Sequence, residues 1–357
     1  MDCFGRASRG VYTERVLSVR LALAIMVAIT RVGRALATLA VLIDADPFTW
    51  THCGCAKMKT AVAFIIFNRP EVTRRVFAAI RIARPPILMV IADGPREGRT
   101  GEAQKCAEVR AVIETGVDWP CEVRKNYADT NLGCGRRVTS GLDWVFEQVG
   151  EAIILEDDCL PDATFFPYCE ELLERYRDDE RVAQIGGSNH QYRHFERPQS
   201  YFFSRYNHIW GWAGWRRSWA SNDREMRGWP AFDAGAGCAR LFRSSAVAGF
   251  WRREWTAVAK GEIDTWDLQW SFACLSRGMV TALPTVSLVE NIGFGPEATH
   301  TKKTRRRAPT VGPMRFPMIH ASTTDADADA DDHMEKWLFS KPTLAQLIIA
   351  RLMSSRA

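Results

Sequence analysis

The amino-acid sequence predicts an α/β fold in which a mixed, mainly parallel sheet carries helices on both faces. From Met58 onward, apolar runs of strand length alternate with amphipathic helical patterns. The runs are almost continuously apolar, as expected of parallel strands that are covered on both faces. Polar residues follow each run, and ligands bind beyond the carboxyl ends of the strands in sheets of this type.

Four strands and three helices are predicted in strict alternation along the first part of the chain. The first helix has Val72, Val76, Ile80 and Ala83 at helical spacing, and the later helices repeat this pattern. Strands are expected at 61–67, 86–94, 121–127 and 151–158, and helices at 71–83, 102–116 and 136–150.

The following part of the chain is rich in tryptophan and less regular. Residues 201–219 contain four tryptophans, but Gly211 and Gly214 interrupt any strand or helix pattern. We therefore expect a loop there, because glycine favours turns over regular elements. Two further helices are predicted at 235–242 and 250–261.

The sequence divides into an extension (1–57), one main domain (58–320) and a C-terminal segment (321–357). Within that last segment, the polar low-complexity stretch 322–332 is typical of a linker. The apolar residues of 341–357 are arranged on one side of a short helix. That helix is expected either to dock on the main domain or to contact a membrane peripherally.

The N-terminal extension has an apolar stretch, 16–43, that three arginines interrupt. Its longest uncharged run has ten residues (21–30), which is too short to span a bilayer. Two interpretations stay open. The stretch is an amphipathic segment that lies on a membrane surface, or translation begins at Met58, where the domain pattern starts.

Composition and charge narrow the classes of partner. The chain has 357 residues with a formal net charge of +5, which is too weakly basic to indicate nucleic acid but suits an anionic small substrate. Its ten cysteines include no CxxC pair, which favours reduced thiols and a cytoplasmic protein. His52, Cys53 and Cys55 have ligand chemistry for zinc, but no second pair with matching spacing accompanies them.

Three carboxylates, Glu156, Asp157 and Asp158, follow the apolar core of the fourth predicted strand. In an extended strand, Glu156 and Asp158 would face one side and Asp157 the other. Like charges at a partly buried strand end need a compensating cation, and Mg²⁺ or Mn²⁺ with oxygen ligands would provide it. The alternative is a solvated strand end whose acids cap the next helix. No P-loop is present, and no GxGxxG follows the first strand.

Between about Met58 and Thr301 the sequence resembles GT-A-type glycosyltransferases, which have a Rossmann-like fold. The resemblance is closest to bacterial nucleotide-diphospho-sugar transferases, including haemolysin-like ones, and more distant to N-acetylglucosaminyltransferase I. It rests on the segments "FIIFNRP", "IADGP", "NLGCGRRVTSGLDWVF", "ILEDDCLPDATFFPYC", "IWGWAGWRRSW", "TWDLQW" and "NIGFGPEATHT". Glutamate opens the acidic triplet instead of aspartate, and the QxxRW motif of processive synthases is missing, which argues against a polymerising enzyme.

The resemblance implies a role for each residue of the donor site. Asp158 corresponds to the direct metal ligand, Glu156 to the residue that contacts the nucleotide ribose, and Asp157 to the middle acid. A further three residues are implied near the nucleotide: Asn68 and Arg69 in the loop after the first strand, and Asp93, which would recognise the base.

Asp267 resembles the catalytic base of this family, which lies in a "WDxxW"-like context. If the anomeric centre is inverted by direct displacement, the acceptor hydroxyl needs such a base. The alternative is that Thr265 or Asp267 caps the helix that follows. His300 and the basic run 301–307 are expected to close over a diphosphate, with His300 as a further metal ligand; otherwise they form a solvated surface.

Arg136 and Arg137 are predicted to meet phosphate, because they open a helix whose N-terminus attracts anions. A solvated basic first turn is the alternative. Trp210, Trp212 and Trp215 are candidates for an acceptor-sugar platform, since aromatic rings pack against sugar C–H faces, although tryptophans also build cores.

The function expected from these observations is a metal-dependent, inverting glycosyltransferase that uses Mn²⁺ or Mg²⁺ and a nucleotide-sugar donor, with UDP-sugar as the first candidate. Its acceptor would be a glycan, lipid or protein hydroxyl, with no nucleic-acid partner. A cytoplasmic location is expected, with peripheral contact at the inner face of the membrane left open. The alternatives are a sugar-1-phosphate nucleotidylyltransferase and a non-catalytic GT-A-like sugar-binding protein.

Overall fold

The computed structural model describes residues 57–191, 197–294 and 311–339. In its first part, helices and strands alternate. The elements are β1 (Ala61–Ile66), α1 (Pro70–Ala83), β2 (Ile87–Ala92), α2 (Glu102–Gly116), β3 (Glu122–Tyr127), α3 (Cys134–Gln148) and β4 (Glu151–Glu156). All seven match predicted elements, and the boundaries differ by no more than two residues at either end.

The second part of the chain adds six strands and several shorter helices to this framework. The strands are β5 (Cys159–Pro161), β6 (Val182–Gly186), β7 (Tyr201–Ser204), β8 (Trp212–Trp215), β9 (Val280–Pro284) and β10 (Val289–Asn291). The helices are α4 (Phe165–Arg175), α5 (Arg216–Trp219), α6 (Trp229–Ala234), α7 (Gly237–Leu241), α8 (Ser245–Ala259), α9 (Asp267–Ser276) and α10 (Ala328–Met334), which continues into a π-helix (Glu335–Phe339).

Eight of the strands form one sheet in the order β3-β2-β1-β4-β8-β6-β9-β7. The β3-β2-β1-β4 half is parallel throughout, whereas β8 runs antiparallel to both of its neighbours and β7 is antiparallel to β9. The predicted α/β class with a mixed sheet is therefore confirmed. Strand order reverses at β1, which has β2 on one side and β4 on the other.

Side chains alternate between the two faces of the sheet, and helices cover both faces. Ala63 and Ile154 belong to the apolar cluster that α3 joins through Val138, Leu142 and Val145. On the opposite face, Trp215 of β8 donates its indole N–H to the Leu173 carbonyl of α4, at 3.3 Å. The central strands are thus buried on both faces, which explains their almost continuous apolar sequence.

The loop predicted at 201–219 is confined to 205–211, because the residues on either side form β7, β8 and α5. Trp212 is 1% exposed and packs against Trp219, Trp266 and Trp270, with ring centroids 6.1 Å from each. A Cβ on Gly214 would lie 3.0 Å from the Trp212 ring. The glycine that interrupts the sequence pattern therefore makes room in β8 for a core tryptophan.

Much of the predicted linker 322–332 is packed structure instead. Ala326 pairs with Phe203 of β7, and α10 begins after Asp327, whose side chain accepts a hydrogen bond from the Ala330 N–H at 2.9 Å. Arg197 donates its Nε–H to Asp327 at 2.9 Å. The alternation of Asp and Ala resembles low complexity, yet Ala330 is buried, Asp327 caps α10 and pairs with Arg197, and Asp331 is buried against β7.

The buried carboxyl of Asp331 makes the stability of this segment depend on pH. Its carboxylate is 4% exposed and accepts hydrogen bonds from Ser204 Oγ at 2.5 Å and the Arg205 N–H at 3.2 Å. Burial raises the pKa of Asp331 from 3.8 to about 6, although these hydrogen bonds oppose the rise. Between pH 4 and 6 the folded chain therefore binds this proton more tightly than the unfolded chain, so the contribution of Asp331 to stability falls as the pH rises.

We predict that the effect of Asp331→Asn on the free energy of unfolding depends on pH. Relative to the wild type at the same pH, the variant should gain about 2–3 kcal/mol more stability at pH 7 than at pH 4. The reason is that only the wild type has to ionise a buried carboxyl. Urea unfolding at both pH values measures the difference. Asp329→Asn, at an exposed position of the same helix, is the matched control. Equal effects of D331N at the two pH values would contradict the prediction.

Several predictions fall outside the described residues: the 1–56 extension with its apolar stretch and the His52–Cys55 group, His300 with the basic run 301–307, and the helix at 341–357. Where the structure describes the chain, no helix has the length and apolar character to cross a membrane.

Candidate active site

The candidate site lies at the carboxyl ends of β1 and β4, where the strand order of the sheet reverses. The two strands are parallel neighbours, with Ile65 opposite Glu156, so the residues that follow them emerge at the same edge. Ligand crevices in open α/β sheets form at such a reversal. The structure thus brings Arg69, from the loop after β1, to the three acids after β4.

Arg69 is the main cation at this edge. Its guanidinium forms a short ion pair with Asp157 and donates a second hydrogen bond to Asp158 Oδ2 at 3.0 Å. The Asp157 side chain is 4% exposed and the Arg69 side chain 22%. Asp157 also accepts the Phe67 N–H at 3.3 Å, so the loop after β1 is fastened to the end of β4. The sequence analysis predicts that Arg69 contacts the nucleotide, whereas in the structure its guanidinium pairs with Asp157 and Asp158.

The acidic triplet does not alternate as an extended strand would. β4 ends at Glu156, and Asp157 and Asp158 lie in a turn before β5. Because the chain turns there, Arg69 reaches both aspartates. The extended-strand geometry behind the predicted pairing of Glu156 with Asp158 is therefore absent, but Asp158 is still the charge that acts most strongly on Glu156, so the pairing itself stays a prediction.

Glu156 lies on the face of the sheet that α3 covers, the same face as Ile154. Burial raises the pKa of Glu156 well above its usual value, and the nearby Asp158, Asp157 and Asp267 raise it further. Arg69 acts in the opposite direction without cancelling them. The pKa of Asp157 is raised to about 6, mainly by burial. The site thus holds more carboxyl groups than one guanidinium can pair, and burial and repulsion favour the protonated form of Glu156.

Asp267 is the first residue of α9 and faces this acidic group. Trp266 occupies the N-cap position, and no side chain caps the helix, so the structure does not support the capping alternative for Thr265 or Asp267. Thr265 donates its hydroxyl to the Asp267 carboxylate instead. The Asp267 side chain is half-buried. A carboxylate that is oriented but not engaged by the backbone is available to accept a proton.

Gly293 closes the other side of Asp158. The Ile292 N–H donates to the Asp158 carbonyl at 2.8 Å, which holds the segment after β10 against the acids. A Cβ on Gly293 would lie 2.1 Å from Asp158 Oδ2 and 2.7 Å from Arg69 Nη1. Only glycine fits at this approach unless the ion pair moves. Phe294 then meets the Trp210 ring at 5.8 Å, so Trp210 borders the same site.

Asp93 and Asn68 are engaged by the protein itself. Asp93 accepts the N–H groups of Gly94 and Leu132, both at 2.9 Å, and the Asn131 side-chain amide at 2.9 Å. Burial raises the pKa of Asp93 in spite of these donors. Asn68 donates to Glu102 of α2 at 2.9 Å. Both residues lie at strand ends as predicted, but their side chains stabilise loops, and recognition of a base by Asp93 stays a prediction.

The two arginines of α3 diverge. Arg137 is 5% exposed and donates from Nη2 to the backbone and side-chain oxygens of Asn126, at 2.7 and 2.8 Å. Burial lowers the pKa of Arg137, and Asp93 partly offsets this effect. Arg136 is exposed and lines a separate cavity. Neither guanidinium reaches the acidic group, so the structure does not place them as a phosphate clamp.

Asp264 occupies the N-terminus of α3, where the sequence predicts phosphate. Its two carboxylate oxygens accept the N–H groups of Cys134 and Gly135, both at 2.9 Å. The sequence analysis missed this residue because its partners lie about 130 positions away along the chain. A helix N-terminus attracts any carboxylate that the fold brings to it. Here that carboxylate comes from the loop before α9.

The predicted acceptor platform is reduced to one residue. Trp212 is 1% and Trp215 2% exposed, so neither ring face is available to a ligand in this structure. Trp215 packs beneath Arg217, whose guanidinium carbon lies 4.3 Å from the ring centroid. Trp210 is half-buried beside the acidic site, and it stays a candidate for acceptor contact.

The donor atoms suit a hard divalent cation, but they do not complete its coordination. Glu156 and Asp158 supply carboxylate oxygens, which Mg²⁺ and Mn²⁺ prefer. Among the described residues, no group of three or more His, Cys, Asp or Glu side chains converges on one point. A cation held here would take its remaining ligands from water and from a bound diphosphate, which is how Mg²⁺ is usually held in nucleotide sites.

A comparison with protein-family profiles finds no family that matches the chain, and a search of curated proteins finds no match.

Proposed function

We propose that the chain is a glycosyltransferase of the GT-A type that transfers a sugar from a nucleotide-diphospho-sugar to an acceptor hydroxyl. One observation carries the proposal: Arg69 from the loop after β1, the acids Glu156 to Asp158 at the end of β4, and Asp267 of α9 lie together at the reversal of strand order. That edge is the expected ligand crevice of the sheet. The resemblance in sequence motifs supplies the reaction class.

The charged groups of the site favour an anionic ligand that binds together with a cation. Several carboxyls share one guanidinium, and burial and mutual repulsion already raise the pKa of Glu156. Asp158 and Glu156 would hold Mn²⁺ or Mg²⁺ through their oxygens. When bound, the cation would neutralise the charge of the departing diphosphate. The chain itself fixes Asp158 between Arg69 and Gly293.

Asp267 is the proposed general base. Thr265 donates to its carboxylate and thereby orients it, and the start of α9 fixes its backbone. A base on the acceptor side takes the proton from the acceptor hydroxyl as that oxygen attacks the anomeric carbon. Such direct displacement inverts the anomeric centre. The half-buried Trp210 would support the acceptor sugar by stacking.

One observation favours a second candidate, a non-catalytic sugar-binding protein. The Arg69 guanidinium already pairs with both Asp157 and Asp158, and a fixed arginine can replace a metal as the counter-charge. In that case a nucleotide would bind weakly or without metal, and no turnover would follow.

A panel of nucleotide-sugars, beginning with UDP-sugars, tests the proposal through donor hydrolysis with and without Mn²⁺. We expect metal-dependent hydrolysis of at least one donor. Asp158→Asn is expected to reduce the rate by at least about 10²-fold, the scale of one lost electrostatic contact in a transition state. Glu151→Gln is the matched control, because Glu151 starts the same strand at its opposite end and pairs with Arg177. Hydrolysis in D158N at the wild-type rate would count against the proposed site.

A further inference from the structure

A buried glutamine inside the sheet connects two segments of the candidate site. Gln184 lies in β6, between β8 and β9, and is fully buried. Its Nε2 donates to the His208 carbonyl at 2.9 Å, and its Oε1 accepts the Trp270 indole N–H at 2.6 Å. The two ends of the amide cannot be exchanged, because an indole N–H only donates and a carbonyl only accepts. One side chain therefore bonds the loop 205–211 and helix α9 at the same time.

Each partner of this glutamine lies close in sequence to a residue of the candidate site. Trp270 is three residues after Asp267, so the two are neighbours on consecutive turns of α9. His208 is two residues before Trp210, whose ring borders the acidic site. The bridge thus joins the segment that carries the proposed base to the segment that carries the proposed acceptor contact.

The loop 205–211 is bound to β6 and to the residues that follow it at further points. The His208 ring donates from Nδ1 to the Ser188 carbonyl at 2.8 Å. The Gly187 N–H donates to the Gly211 carbonyl at 2.7 Å. Of these contacts, that of Gln184 is the one that also reaches α9, so it links the position of the helix to that of the loop.

The hydrogen bond adds direction to a contact that is otherwise apolar. The Trp270 ring is fully buried and packs against Trp212 and Trp219, with centroids 6.1 and 5.2 Å away. Apolar packing is non-directional, whereas a hydrogen bond weakens steeply with distance and angle. Buried paired groups can often be exchanged for apolar groups of the same shape at little cost in stability. What an apolar residue at position 184 could not supply is the fixed register between α9 and the loop.

We propose that Gln184 is a positioning residue of the candidate site, which holds α9 and the loop 205–211 in register with each other. The inference rests on the proposed function, since it takes Asp267 as the base and Trp210 as the acceptor contact. A base must lie within hydrogen-bond reach of the oxygen that attacks, and a displacement of about 1 Å can lower a rate about 10²-fold. Gln184 touches no reacting group and acts through its two partners.

Three variants of the full chain separate the two halves of the bridge. Gln184→Leu removes both hydrogen bonds, and Trp270→Phe removes only the bond to α9. Trp119→Phe is the matched control, because Trp119 is 5% exposed and donates its indole N–H to the Pro85 carbonyl at 2.9 Å. Pro85 precedes β2, at the edge of the sheet opposite to the candidate site.

Amide hydrogen exchange, read by mass spectrometry, measures the positioning without a substrate. Relative to the amides of β1, we expect Q184L to speed exchange at least tenfold in both 205–211 and 265–270. W270F should do so only in 265–270, and W119F in neither segment. A residue that merely stabilises the whole domain would speed exchange in β1 as well.

Hydrolysis of nucleotide-sugars in the presence of Mn²⁺, beginning with UDP-sugars, measures the consequence for the reaction. We expect kcat to fall at least tenfold in Q184L and in W270F, and to stay within twofold in W119F. The KM for the donor should stay within twofold in all three variants, because the acids after β4 and Arg69 are untouched.

Unchanged exchange and kcat in Q184L would overturn the proposal, as would a fall in kcat that W119F shares. If Q184L does not fold, wild-type exchange and kcat in W270F would overturn it equally. The expected local exchange, together with no hydrolysis of any nucleotide-sugar by the wild type, would support the bridge and overturn the proposed function instead. Donor hydrolysis that both Q184L and W270F retain at the wild-type rate would do the reverse.

Discussion

Replacing Asp267 with asparagine is expected to lower the rate of sugar transfer by about 10²–10⁴-fold, the usual contribution of a general base. The amide keeps the size and the hydrogen bond from Thr265, but it cannot take the acceptor proton. Donor binding should change little, because the acids of β4 and Arg69 stay in place. Single-turnover transfer and calorimetric titration of the donor separate these two effects.

Asp264→Asn is the control for Asp267, since Asp264 lies three residues earlier, in the loop before α9, and binds the N-terminus of α3. Loss of one hydrogen bond there should cost about 1 kcal/mol in stability, without a comparable loss in the rate of transfer. Turnover in D267N at the wild-type rate would exclude Asp267 as the base. An equal loss of rate in both variants would assign the effect to the loop.

Replacing Arg69 with methionine is expected to lower the free energy of unfolding by about 3–5 kcal/mol at pH 7. The reason is that Asp157 would lose its ion pair while it stays almost fully buried. Burial already raises the pKa of Asp157 to about 6, and Arg69 is the group that most opposes this rise. Without Arg69 the carboxyl would be protonated at neutral pH or draw water into the site. Urea unfolding measures the loss.

Two further variants separate the buried pair from any general effect of losing an arginine. In the double variant R69M/D157N, the almost fully buried Asp157 charge is gone and only the more exposed Asp158 has lost its partner, so much of the lost stability should return. Arg81→Met breaks the Arg81–Asp118 pair, in which both side chains are more than half exposed, and should leave the free energy of unfolding nearly unchanged. A small effect of R69M, equal to that of R81M, would show that the Arg69 pair does not hold the end of β4 to the loop after β1.

The first half of the fold is predictable because its signals are local. β1, β2 and β4 are apolar runs, and α3 has Val138, Leu142 and Val145 at helical spacing, so each element can be recognised without knowing its neighbours. The meeting of Arg69 with the β4 acids follows from parallel strands whose ends share one edge. For the same reason, the location of the candidate site is predictable.

The rest depends on contacts between distant parts of the chain. In the sequence, Gly214 predicts a break in the strand pattern; in the structure, it leaves space for the Trp212 ring beside it. Asp264 carries no local sign that it binds α3. The alternating Asp and Ala of 326–332 become structure only because Asp331 meets β7 and Asp327 meets Arg197. Neither hydrophobic periodicity nor motif spacing can identify these distant contact partners.

Calorimetric titration of the wild-type chain with UDP, with and without Mn²⁺, tests most directly whether the edge shared by β1 and β4 is a donor site. The proposed site predicts that UDP binds more tightly with Mn²⁺ and that Asp158→Asn removes this gain, while Glu151→Gln keeps it. UDP binding that is absent under both conditions, or a gain from Mn²⁺ that persists in D158N, would contradict it.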